Sequence, residues 1–185
     1  MATKILLCSP DTVKGILNIS DELQEKFLIP ALNETQDEGF ESIVGSEMVR
    51  KLQDLVSGNT IGTEGNEIYK ALLEKAKYYF AYGAATKLVV IASYHISNAG
   101  VTQPIDENKT NLSFNDIVSM QGIYEKKFDF YAKKLQDWCC ANIEQLPELK
   151  SCKKGDTKAN LSSAASTSIW LGGARGRCKK KPYSR

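Results

Sequence analysis

The sequence predicts an all-α protein with two long antiparallel helices, shorter helices packed against them, and an extended basic C-terminal arm. Two long segments keep apolar residues at helical spacing, and both carry recognisable helix ends. No segment of useful length alternates polar and apolar residues as a half-buried strand does. A chain of 185 residues suffices for one domain with a buried core and an appendage. We therefore divide it into a helical domain, residues 1–149, and an arm, residues 150–185.

The charge of the chain is split between these two parts. The whole sequence has 24 Lys and Arg and 22 Asp and Glu, and ten of the basic residues but only one acid, Asp156, fall in the arm. The arm therefore carries about +9, and the 14 basic and 21 acidic residues left in residues 1–149 give about −7. A basic arm on an acidic body indicates a negatively charged partner: nucleic acid, a membrane surface, or an acidic face of a protein.

The first third of the chain predicts short helices. Ser9 and Pro10 have the residue types of an N-cap and a first helical position, and they open a helix that runs to about Leu17. Ser20 is predicted to cap a second helix with acidic residues in its first turn. Pro30 lies inside the apolar run of this second helix and removes one backbone hydrogen bond, so we expect a kink or a restart there.

A third predicted helix follows directly. Gly45 ends the preceding helix and Ser46 caps the new one, which stops at residues 57–59. Three glycines make residues 57–66 a loop. The apolar residues of this helix, which we expect to be buried, are Met48, Val49, Leu52, Leu55 and Val56.

The longest periodic segment runs from Glu67 to about Asn98. Its middle is made of unusually small residues, which allow another helix to approach closely, either within the monomer or from a neighbouring copy. Residues 88–92 are apolar on all sides, which a surface helix does not tolerate unless both faces are covered. We therefore predict a subunit interface formed by Ala81, Gly83, Ala84, Leu88, Val89, Val90 and Ile91.

A polar loop leads to the second long helix. Ser113 and Asp116 have the spacing of a capping box, and Pro147 ends the segment. One aromatic and apolar stripe repeats every seven residues along this helix, and we expect it to pack against the first long helix. The stripe consists of Ile117, Tyr124, Tyr131 and Trp138, with Phe128 and Leu135 on the adjoining row.

The sequence contains no recognisable catalytic, cofactor or metal constellation. His95 is the single histidine and is predicted to lie on the apolar face of a helix, where a core or interface role is common. Five cysteines without a C-x-x-C spacing predict reduced thiols and no zinc site. The glycines of residues 57–66 lack the Gly-Lys-Ser/Thr of a phosphate loop, and one histidine excludes a di-iron bundle. We expect neither an enzyme nor a membrane span.

The arm is polar and small in composition until its basic end. It is either a solubilising tail or a fastener, in which Arg and Lys contact phosphates or acidic side chains while one apolar cluster anchors it. The predicted partner-binding residues of the arm are Lys150, Lys153, Lys154, Ile169, Trp170, Leu171, Arg175, Arg177, Lys179, Lys180, Lys181 and Arg185.

Residues 5–149 resemble a known family. The pattern "FLIPALNETQD....IVG", the later "YKALLEKAKYYFAYGAATKLVV" and the ending "IEQLPEL" are similar to the helical head-to-tail connector proteins of tailed bacteriophages, above all those of Bacteroides-type and crAss-like phages. The resemblance implies a ring, usually of twelve copies, beneath the portal, which continues the DNA channel toward the tail. It also implies that the C-terminal segment docks onto the portal or the next neck component.

Two functions follow as hypotheses. The first is a structural virion protein of the neck, assembled in the host cytoplasm, whose partners are its own copies, the portal and further neck or tail proteins. Packaged DNA passes through such a channel without sequence-specific binding, and an acidic body repels it. The alternative is a small nucleic-acid-binding protein that uses the basic arm on phosphates. A membrane-surface protein is disfavoured because no basic amphipathic helix accompanies the arm.

Overall fold

The computed structural model describes residues 4–20, 22–93, 95–97, 100–102 and 113–149. The predicted arm, and with it every predicted partner-binding residue from Lys150 to Arg185, lies outside these residues. The described chain is all-α in class. Its helices are α1 (Pro10–Leu17), α2 (Glu25–Glu34), α3 (Glu41–Val44), α4 (Ser46–Ser57), α5 (Glu67–Ser93) and α6 (Phe114–Ala141), with strands β1 (His95–Ser97) and β2 (Gly100–Thr102).

Helix α1 forms as predicted. The Ser9 hydroxyl accepts a hydrogen bond from the backbone N–H of Thr12 at 3.3 Å, and Pro10 occupies the first helical position. The helix ends at Asn18, whose φ of 52° lies in the left-handed region that asparagine tolerates better than most residues.

Helix α2 begins later than predicted. The Ser20 hydroxyl accepts from the backbone N–H of Glu22 at 3.3 Å, so this serine stabilises a turn, and the helix starts only at Glu25. The helix does not restart at Pro30. It continues into a π-helical turn, Thr35–Phe40, and then into α3. The irregularity of this segment therefore sits one turn beyond the proline.

The boundary between α3 and α4 depends on Gly45. Its φ of 92° and ψ of 157° belong to a region that only glycine enters easily, and this ends α3 as predicted. Gly45 also occupies the cap position of α4, which leaves Ser46 as the first helical residue with no side-chain cap, so the predicted serine cap is wrong. Helix α4 buries Met48, Val49, Leu52 and Leu55, as predicted, with Val56 partly buried.

Helices α5 and α6 form an antiparallel hairpin. Tyr69, early in α5, donates a hydrogen bond from its hydroxyl to Glu148 beyond the end of α6, at 2.8 Å. Further along α5, Tyr82 packs against Tyr124, which lies much earlier in α6. Because residue numbers rise in one helix as they fall in the other, the two helices run in opposite directions. The predicted capping box is present, since Ser113 and Asp116 exchange hydrogen bonds of 3.2 Å.

The end of α5 differs from its prediction. The helix stops at Ser93, and residues that were expected to be helical or loop form a short antiparallel hairpin in which Ile96 pairs with Val101. The two strands are only three residues long and leave the class all-α, but His95 lies in a strand rather than in the predicted helix. β-branched residues on both strands favour the extended backbone.

The core lies where the short helices cover one side of the α5–α6 hairpin. Phe40 is fully buried, with its ring centroid 4.9 Å from that of Phe80 and 6.2 Å from that of Tyr79. A buried amide fastens the N-terminal segment to this core. The Gln36 side chain accepts from the Leu7 N–H at 3.0 Å and donates to the Ile5 carbonyl at 3.2 Å.

Within the described residues, no helix combines the length and the apolar character needed to cross a bilayer.

Candidate interaction surface

Most of the predicted interface on α5 is buried inside the subunit itself. Ala81, Gly83, Ala84 and Leu88 belong to the interior of this chain, so they are not available to a neighbouring copy in this fold. The cause is the close packing that the small residues permit. A Cβ atom on Gly83 would overlap the Thr35 methyl group and lie 2.7 Å from the Phe128 ring. The small residues therefore allow close packing within the monomer. This was the alternative interpretation of the same sequence pattern.

The remaining predicted residues are more accessible. Val89 and Ile91 are half-buried, and Val90 is 41% exposed. This leaves the C-terminal end of α5 as the part of the predicted interface that solvent still reaches.

Helix α6 carries most of the exposed large apolar side chains of the described residues. It has one row of buried residues that includes Ile117 and Leu135, and Leu135 belongs to the core. Five further apolar residues on this helix are exposed, by 37% to 66%, in the described part of the chain. They are Phe114, Val118, Met120, Ile123 and Phe130. An apolar set of this kind on one exposed helix is typical of a protein interaction surface.

This surface was not among the predicted features, although the sequence contains a signal for it. The predicted stripe accounted for positions 117, 124, 131 and 138, and treated the helix as having a single apolar face. Ile123 and Phe130 are also seven residues apart and lie outside that stripe. A second heptad spacing on the same helix was the sign of a second apolar face.

The predicted aromatic stripe packs against α5, as expected. The ring of Tyr131 stacks on Tyr78 with centroids 5.1 Å apart and on Tyr82 at 5.3 Å. The Lys127 ammonium lies 5.1 Å from the centroid of the Tyr82 ring, in the position of a cation–π contact. These stacked rings hold α5 and α6 together. The hairpin therefore holds the exposed residues of α6 on a rigid backbone.

An open groove of about 530 Å³ lies at the junction of α3 and α4. Its lining includes five carboxylates and neither a histidine nor a cysteine, so it offers no nucleophile with a neutral base beside it. The charged residues of this lining are Asp37, Glu38, Glu41, Glu47 and Glu148. In the described part of the chain, no group of His, Cys, Asp and Glu side chains is arranged to hold a metal ion.

One protein-family model matches most of the chain. The family model of DUF6712, described as a family of unknown function, matches residues 29–159, which is more than two thirds of the chain. The chain belongs to the DUF6712 family. The match begins in α2 and includes all of α5 and α6. No curated protein and no solved structure matches the chain.

Two cysteines of this DUF6712 member are buried free thiols. Burial raises the pKa of Cys8 to about 11, against the opposing charge of Lys77, and raises the pKa of Cys139 to about 12. Neither thiol forms the thiolate that a nucleophile needs near neutral pH. Cys140 is disulfide-bonded, which contradicts the prediction of a reduced thiol at that position.

Stability is expected to fall at alkaline pH. The thiols of Cys8 and Cys139 ionise near pH 9.0 without burial, and burial raises the pKa of both in the folded state. Tyr69 behaves alike, since burial, followed by the hydrogen bond and charge of Glu148, raises its pKa to about 12. The unfolded chain therefore loses these protons first, so the stabilising contribution is complete below pH 9 and is lost as the pH rises toward 12.

Urea denaturation at pH 8, 9, 10 and 11 measures this effect. Each pH unit in that window costs up to about 1.4 kcal/mol for each buried group. Cys139→Ala is expected to lower the stability at pH 8 but to flatten its decline with pH. An unchanged slope in that variant would show that the Cys139 thiol does not contribute to the decline.

Proposed function

We propose that this protein is a structural subunit of a closed ring, the neck or connector ring between the portal and the tail of a tailed bacteriophage. The observation that carries the proposal is the set of exposed apolar side chains on α6, held on a rigid helical hairpin. The resemblance of residues 5–149 to phage connector proteins supports it independently of the exposed surface.

The exposed apolar side chains of α6 raise the free energy of the single subunit in water. Burying one large apolar side chain contributes about 1.5–3 kcal/mol, so leaving several of them in water is a cost to the single subunit. Phe114, Ile123 and Phe130 are each more than half exposed. A neighbouring copy that covers them recovers this free energy, and the set from Phe114 to Phe130 extends along about 24 Å of the helix. This favours lateral contact between long helices over a small end-to-end contact.

The ring accounts for the charge of the chain as well. We propose twelve copies, as the resemblance implies, around a channel through which packaged DNA moves without sequence-specific contacts. The acidic body repels DNA and keeps it mobile, and the acidic groove at α3 and α4 belongs to that body. The basic arm, with Ile169-Trp170-Leu171 as its apolar anchor, fastens the ring to acidic surfaces of the portal or of the next neck protein.

Negative-stain imaging of the purified full chain tests the proposal. We expect particles of one size with a central hole, and we expect to find the protein in mature virions at the neck. Monomers alone, even in the presence of the portal, together with absence from virions would contradict it.

A DNA-binding titration separates the ring from the alternative. A small nucleic-acid-binding protein loses affinity steeply with salt and loses binding altogether when residues 171–185 are deleted. The ring subunit is expected to assemble with or without DNA, and to bind DNA weakly at physiological salt.

A further inference from the structure

We infer that α6 carries both halves of the contact between neighbouring copies: an acidic flank on one side of the helix docks onto the basic flank of the next copy. This inference rests on the proposed ring and names the surface that closes it. It follows from where the exposed residues of α6 lie around the helix axis, at about 100° per residue.

The row of α6 that faces α5 divides its exposed surface into two flanks. Taking the direction of Ile117 and Leu135 as the inner side, two groups of exposed residues stand about 100° away from it, one to the left and one to the right. The two groups are thus nearly opposite each other across the helix. A protein that contacts one neighbour on each side needs this arrangement.

The acidic flank combines two apolar side chains with two carboxylates. Phe114 and Val118 are one turn apart, and Glu125 and Asp129 continue the same side further along the helix. All four are exposed. Beyond them on this side, Ala132 is fully buried under the body of this chain. The acidic flank therefore continues a face that is packed elsewhere along the helix, and nothing of the described chain covers this part of it.

The basic flank has the spacing of a coiled-coil seam. Met120, Ile123, Lys127, Phe130 and Lys134 follow one another at alternating intervals of three and four residues, which places them in one row on a helix that packs lengthwise against another. All five are exposed. The two lysines contribute their aliphatic stems to the seam, and their ammonium groups lie over aromatic rings, Lys127 over Tyr82 and Lys134 over Phe130, each at 5.1 Å.

No ion pair among the described residues neutralises the charges on the two flanks. Among the described residues, the ion pairs join Lys4 to Asp37, Lys77 to Glu74, and Lys87 to Glu34 and Glu38. None involves α6. The carboxylate of Asp116, which lies on the basic side near the start of the helix, is engaged in the capping box. The basic row thus has two lysines in its middle, with Asp116 before them and Asp137 beyond them, whereas the acidic flank presents two carboxylates beside its apolar residues.

This complementarity identifies the occupant as a second copy of the chain. A nucleic acid would leave the acidic flank uncovered, since its carboxylates repel phosphates, and an apolar membrane surface would leave all four charges unpaired. Joining acidic to basic flank pairs the charges and covers the apolar residues together. Such a contact uses two different patches of one subunit, which is the head-to-tail geometry that closes rings.

Two double variants test the contact. I123D/F130D removes the basic flank, and F114D/V118D removes the acidic flank; both change exposed side chains, so circular dichroism is expected to show an intact fold. Each variant loses two buried apolar side chains from the contact, which predicts self-association at least about 100-fold weaker than wild type. Each variant alone is therefore expected to be monomeric by native mass spectrometry.

Mixing the two variants gives the decisive result. One copy retains its acidic flank and the other its basic flank, so an equimolar mixture is expected to form a dimer of one copy of each. A mixture that stays monomeric, or a single variant that still forms rings, overturns the inference. If the wild-type chain forms rings in the same experiment, the proposed function still stands. A wild-type chain that never assembles contradicts the proposed function itself.

Charge reversal checks the polar part of the same contact. E125K/D129K and K127E/K134E are each expected to weaken assembly, because each places like charges opposite one another, and the chain that carries all four changes is expected to regain it. A four-fold variant that assembles no better than either double variant overturns the pairing of these flanks.

Discussion

Phe40→Ala is expected to lower the free energy of unfolding by about 3–5 kcal/mol, a large share of the stability of a domain of this size. Phe40 is fully buried at the end of the π-helical turn, and its ring contacts the rings of Tyr79 and Phe80 on α5. Removing the ring leaves a cavity between the short helices and the hairpin, and it loses the aromatic contacts as well.

Phe130→Ala is the matched control for this prediction. It removes the same side chain from a position that is 56% exposed, and it is expected to change the stability of the monomer by no more than about 0.5 kcal/mol. Chemical denaturation of the two variants at pH 7 measures the difference. Equal losses at Phe40 and Phe130 would contradict the placement of the core.

Gly83→Ala is expected to destabilise the protein by about 1–3 kcal/mol, although alanine is the better helix former. The added methyl group overlaps Thr35 on one side and approaches the Phe128 ring to 2.7 Å on the other. Other contacts hold both neighbours, since Thr35 is buried and Phe128 packs on Tyr79 with centroids 4.7 Å apart. The hairpin and the π-helical turn must separate slightly to admit it.

Gly122→Ala makes the same substitution in the other long helix, where nothing lies within 4 Å of the added atom. It is expected to stabilise the protein by up to about 1 kcal/mol through the lower backbone entropy of the unfolded chain. Thermal unfolding of both variants gives the comparison. If Gly83→Ala does not destabilise the protein, the small residues of α5 are not needed for packing within the subunit. That result would support the prediction that Gly83 belongs to a subunit interface.

Local signals in the sequence were sufficient for much of the fold. Ser9, Gly45 and the capping box of Ser113 and Asp116 all act through contacts within four residues, so their chemistry can be read from the sequence and recurs in the structure. The antiparallel pairing of the long helices followed from the length of their apolar periods. These features require no knowledge of distant parts of the chain.

Signals that depend on tertiary contacts were less reliable. Ser20 and Ser46 carry the residue type of a cap, but the positions of Glu25 and Gly45 decide where the helices begin. The end of α5 was predicted too late because residues beyond Ser93 have both helical spacing and β-branched side chains. Local propensity alone does not choose between these two structures.

The interaction surface was the hardest feature to predict. A periodic pattern shows that a side of a helix is apolar, but it does not show what covers that side. On α5, Gly83 and Ala84 have the small side chains of an interface and are covered by this chain itself. On α6, Ile123 and Phe130 looked like an ordinary part of a helix with a core stripe, and the fold leaves them exposed. Burial depends on the placement of the short helices, which the sequence pattern does not give.

Hydroxyl-radical footprinting of the full chain, once dilute as a monomer and once assembled, tests most directly whether copies bury the exposed side chains of α6. We predict that Phe114, Val118, Ile123 and Phe130 lose reactivity together on assembly. Met48, which is fully buried in the single subunit, is expected to stay unreactive in both samples and so to report an intact fold. Undiminished reactivity of those four residues in the assembled sample would contradict the account.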